Sequence, residues 1–77
     1  MSQNSKTEQI IANLDTMIRQ HMEDIQIQIG IVKANQGGHL TLHKILVKDA
    51  RTYIEMNREA IKTFIELKRK YELKLTN

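Results

Sequence analysis

The chain has no cysteine, no proline and no tryptophan, and its 77 residues include only three glycines, two tyrosines and one phenylalanine. Each shortage excludes something. Without cysteine there is no disulfide and no thiolate metal site, so the usual staple of small secreted domains is missing. Without proline and with few glycines, the chain has few places to break a regular element. The longest wholly apolar runs, such as Ile45–Val47, are three residues, against about 20 for a bilayer span. The opening Met1–Glu8 is polar and does not read as a secretory signal. These features lead to the expectation of a cytoplasmic protein with no membrane partner.

Catalytic signatures are also missing. There is no glycine-rich phosphate loop, no nucleophile beside a base, and no spaced carboxylate pair in a pocket-forming context. Neither an enzyme nor a cofactor is expected. The length allows one domain, residues 1–77. A chain this short buries only about 60% of its unfolded surface and commonly needs a staple or a partner. With disulfides excluded, self-association is the expected remedy.

What the sequence does contain is helical spacing. Ile11, Leu14, Ile18, Met22, Ile25, Ile29 and Val32 recur at intervals of three and four, which gathers them within about 80° of a helix circumference. Ser5 followed by Glu8 reads as a capping box, so a helix is expected over about 5–34 after a frayed tail at 1–4. Asp15 and Arg19 are spaced as an i,i+4 ion pair. One stretch is ambiguous. Residues 25–31 read Ile-Gln-Ile-Gln-Ile-Gly-Ile, an alternation typical of a strand. Pairing of strands within residues 25–47 would give an α-β-β-α chain with a central hairpin, an alternative to the all-helical reading. Gln36-Gly37-Gly38 is the clearest punctuation and suits a turn at 35–39.

From about 40 to 75 the pattern is heptad-like. With His43 at position a, the a residues are His43, Ala50, Asn57, Phe64 and Tyr71, and the d residues are Leu46, Tyr53, Ala60 and Leu67. The e residues Val47, Ile54 and Ile61 are also apolar. An a, d and e face spans about 140°, wider than one partner helix covers. The expected architecture is an antiparallel helical hairpin assembled as a dimeric or higher bundle. Leu46, Tyr53, Ile54, Asn57, Ile61, Phe64 and Tyr71 are its expected interface, with Asn57 fixing register. A flanking stripe repeats at Ile45, Met56 and Leu67, with Ile10, Met17 and Ile31 on the first helix. It either widens the bundle core or forms a second interface.

Three polar features remain. His21 falls on the apolar side and, for a turn near residue 37, would lie across from Tyr53. His39 and His43 have i,i+4 spacing, but with no further ligand nearby they are only weak metal candidates. Charge is uneven: residues 1–38 carry three Lys/Arg against four Asp/Glu (−1), and residues 39–77 carry nine against five (+4). Lys44, Lys48, Arg51, Arg58 and Lys62 share one outer face of the second helix and form a candidate surface for an anionic partner. The expected function is that of a small oligomeric binding or regulatory protein with a protein partner. Nucleic-acid or nucleotide binding through the basic face is one alternative, and a structural scaffold component is another.

Overall fold

A computed structural model describes residues 3–76, and the side chains of 4–75. It contains two helices and no strand among the described residues: α1 (Gln3–Asn35, 33 residues) and α2 (Thr41–Thr76, 36 residues). They pack against each other as a hairpin with extents of 59 × 16 × 12 Å. The strand pairing considered for 25–47 is not formed, since those residues are helical on both sides of the turn. The alternation has another origin. Ile25 and Ile29 are half-buried on the side facing α2, whereas Ile27 is 62% exposed. Two apolar stripes of one helix pass through the same seven residues.

Helix α1 is already formed at Gln3, ahead of the Ser5 expected to cap it, so Ser5 is not the helix N-cap. Residues 1 and 2 of the expected tail lie outside the described residues. The seam between the helices follows a three–four spacing on both. On α1 it takes Thr7, Ile11, Leu14, Ile18, His21, Ile25, Gln28, Val32 and Asn35. On α2 it takes His43, Val47, Ala50, Ile54, Asn57, Ile61, Phe64, Lys68, Tyr71 and Leu75. In the heptad count this is an a/e seam. The d residues Leu46, Tyr53 and Leu67 stay outside it. Branched Val47, Ile54 and Ile61 go inward, and the larger Tyr53 and Leu67 are left to the flank.

A short hydrogen bond between His21 and Asn57 shows which residues face each other across the seam. Stepping one heptad along α1 and one back along α2 places Leu14 opposite Phe64 and Gln28 opposite Ala50. The core is thin. Leu14 and Ala50 are its buried hydrophobic residues, and among the described residues no large side chain is fully buried.

The turn explains why the chain reverses at this point. The Gln36 N–H donates to the Val32 carbonyl, and Gly37 follows at φ 85°, the left-handed conformation that ends many helices and that glycine adopts without a Cβ clash. Leu40 opens α2. Its carbonyl accepts from the His43 and Lys44 N–H groups at 3.1 and 3.4 Å. The His43 Nδ1 accepts from the Leu40 N–H at 3.3 Å, the role that glutamate plays in a capping box. Gly38 packs directly under the His43 ring, where a Cβ would overlap the imidazole.

Candidate interaction surfaces

Asn57 is the buried polar residue of the seam, 7% exposed. Its Nδ2 donates to Asp24 Oδ2 at 2.6 Å and to the Tyr53 carbonyl at 2.9 Å. That leaves Oδ1 as acceptor, so the His21 Nδ1, 2.7 Å away, carries the proton of this bond. Gln28 Nε2 extends the chain to Asp24 Oδ1 at 3.4 Å. The His21 ring also lies 5.6 Å from Phe64 at 33°. No buried side-chain nitrogen or oxygen among the described residues lacks a partner. His21 therefore bonds to Asn57 rather than lying across from Tyr53. The helix reverses around His39 instead of residue 37, and a shift of the reversal point moves the facing residue by twice as much, here one helical turn.

The two sides of the hairpin differ in chemistry. Antiparallel helices of similar length are related by an approximate two-fold axis normal to their plane. Residues that flank the seam in the same sense on both helices therefore emerge on the same side. Three residues after Thr7, Leu14, His21 and Gln28 come Ile10, Met17, Asp24 and Ile31. Three after His43, Ala50, Asn57 and Phe64 come Leu46, Tyr53, Ala60 and Leu67. These two rows lie side by side, with Ile27, Leu42 and Met56 outside them. Met17, Ile27, Leu42, Leu46, Tyr53, Met56 and Leu67 are all exposed, Met56 at 59% and Tyr53 at 51%. Of the expected interface residues, Ile54, Asn57, Ile61, Phe64 and Tyr71 serve the seam within the hairpin, while Leu46 and Tyr53 stand on this apolar face.

The opposite side carries most of the paired and clustered charges, together with Met22, which is 53% exposed. Lys68 Nζ meets Asp15 Oδ1 at 2.7 Å across the seam, so Asp15 reaches the other helix instead of Arg19. Hydrogen bonding to Asp15 raises the Lys68 pKa, and the Asp15 and Glu72 charges add to this against partial desolvation. Lys44, Lys48, Arg51, Arg58 and Lys62 also project on this side. Arg58 pairs with Glu55 at 3.4 Å, with both side chains largely exposed. Lys44, Lys48 and Arg51 form no ion pair among the described residues. They border an open groove of about 640 Å³ beside the turn, with Val47, His43 and Gly38 as part of its lining.

No cluster of three or more potential metal ligands occurs among the described residues, and His43 is committed to the helix cap. No described helix is long and apolar enough to cross a membrane. In comparisons with known proteins, no family model, no curated protein and no solved structure matches the chain.

Proposed function

We propose that the chain is a small, non-enzymatic binding protein of the cytoplasm that acts by docking its apolar face against another protein surface. The observation that carries this reading is the row of exposed Leu42, Leu46, Tyr53, Met56 and Leu67 along one side of a hairpin with almost no core of its own. Contiguous apolar patches of this kind mark interaction sites. Helical grooves and faces recognise one another through anchors spaced three, four and seven residues apart, and Leu42, Leu46, Tyr53 and Met56 are separated by four, seven and three. The opposite face, with Lys44, Lys48, Arg51, Arg58 and Lys62, stays in water when the apolar face is covered.

The test compares the tagged full-length chain with a Leu42→Glu/Met56→Glu variant whose helicity is checked by circular dichroism. Proteins retained by the native chain, its own copies included, are expected to fall at least tenfold with the variant. Equal retention by both would refute the apolar face as the docking surface. A second reading, nucleic-acid or nucleotide binding, is favoured by the three unpaired cations around the turn-side groove. It requires retention on heparin or DNA that falls steeply with salt.

A further inference from the structure

Resting on the reading of the apolar face as a docking surface, we infer that its occupant is a second copy of this chain. The copy sits with its turn at the same end, so that α1 of each hairpin packs against α2 of the other in an antiparallel four-helix bundle.

The exposed area fits a second copy. The hairpin exposes 6097 Å², whereas a compact monomer of 9.0 kDa exposes about 4,900 Å². The excess is about 1,200 Å². A standard interface covers about 800 Å² on each partner, so one equally long partner laid on the apolar face accounts for most of it. The face also runs from Ile10 and Leu67 near the open end to Ile31 and Leu46 near the turn, about 32 Å along the helices and just over half of a 59 Å body. A partner must match that length, and a second hairpin does so by construction.

The two faces are also complementary, layer by layer. A half-turn about an axis parallel to the helices brings each flanking row against the other row of the second copy at the same height. The register that His21 and Asn57 mark then opposes Ile10 to Leu67, Met17 to Ala60, Asp24 to Tyr53, and Ile31 to Leu46 of the second copy. Every apolar residue meets an apolar one, and the long Met17 meets the small Ala60. The one carboxylate in the rows, Asp24, meets the one hydroxyl, Tyr53, whose side is 51% exposed in the single hairpin.

The distribution of polarity along the face selects the relative direction. Ile27, Ile31, Leu42 and Leu46 crowd the turn end, while Lys6, Lys70 and Lys74 belong to the open end. With the turns at opposite ends, Leu46 would face Lys74 of the second copy. With the turns together, the apolar ends cover each other. Lys70 and Lys74 of both copies then lie together at the open end, past the last apolar pair of Ile10 and Leu67, where their charges are solvated.

The test has two parts. Light scattering on a sizing column, over a hundredfold dilution of the native chain, should give a mass twice the 9.0 kDa of one chain. Because the chain has no cysteine, single-cysteine copies report geometry without ambiguity. Ile31→Cys mixed with Leu46→Cys should form a disulfide-linked pair several-fold more efficiently than either alone. An Ala60→Cys copy that cross-links efficiently to itself would mean that the turns point in opposite directions, and would overturn the arrangement. Open-ended growth beyond the dimer would overturn the closed bundle. A monomer at every dilution would overturn the second copy as occupant. The docking reading itself falls only if the Leu42→Glu/Met56→Glu variant also retains the same proteins as the native chain.

Discussion

Gly37 and Gly38 are neighbours in the turn, yet a methyl group added to either meets a different obstacle. At Gly37 the space is open and the backbone is the problem, with φ at 85°, so Gly37→Ala should cost about 1 kcal/mol. At Gly38 the added Cβ would overlap the His43 imidazole, which is held by its bond to the Leu40 N–H. Gly38→Ala should cost about 1–3 kcal/mol as an overpacking change, and the penalty should shrink in a His43→Ala background. Gly30 sits inside α1 with nothing within 4 Å of a built Cβ. Gly30→Ala should therefore stabilise by about 0.5–1 kcal/mol. Urea midpoints followed by circular dichroism rank the three, and a loss of stability in Gly30→Ala would mean that something packs on that side of α1. Asn57 is a test of a different kind. Asn57→Ala removes the shared partner of His21 and Asp24, and stranding half-buried polar groups should cost about 1–3 kcal/mol. A neutral substitution would show that water replaces the network at no cost.

At the level of the elements, both helices were legible because three–four spacing persists along each, and Gly37 marked the turn. Asn57 was legible as the polar residue of the seam because it interrupts an otherwise apolar heptad row. What spacing could not decide was which flank of α2 turns inward. Leu46, Tyr53 and Leu67 on one side compete with Val47, Ile54 and Ile61 on the other, and both rows are apolar. The choice depends on the height and rotation of α1, which the turn geometry at Gly37–Leu40 sets. The same geometry moved the partner of His21 from Tyr53 to Asn57. The cross-seam pair of Lys68 and Asp15 was hidden for a related reason, because Lys68 sits at an e position that becomes part of the seam only once that flank is chosen. Its pKa is raised above the ordinary 10.5, first through the hydrogen bond to Asp15. A base whose folded pKa is raised binds its proton more tightly in the folded state. The stabilisation is therefore complete below the unfolded value of 10.5 and is lost as pH rises through the folded value. Lys68→Met keeps much of the stem and removes the charge. The stability difference between the native chain and this variant should be constant from neutral pH to about 10 and vanish at higher alkalinity. A difference that persists unchanged in strong alkali would assign the role of Lys68 to packing of its stem.

For the whole molecule, the controlling fact is how little two helices can bury between them. Leu14 and Ala50 are the buried hydrophobic residues of the seam, and most other seam residues stay partly exposed. Partly covered rows of this kind suit a four-helix bundle, where a helix serves the neighbour of its own chain with one flank and a helix from outside with the other. His21, Asp24 and Asn57 would then lie near the centre of the assembly, where a satisfied polar network penalises any other alignment. Folding and association should consequently be coupled. If the folded state is a dimer, its melting temperature must depend on protein concentration, because each tenfold dilution withdraws about 1.4 kcal/mol from the dimer. Spread over two chains of this size, that corresponds to a shift of about 3–6 °C per decade. Circular dichroism melts of the native chain across two decades of concentration measure this directly. A melting temperature that stays constant over that range would show that the thin seam suffices to fold the hairpin alone, and that the apolar face is held open for use by a different protein.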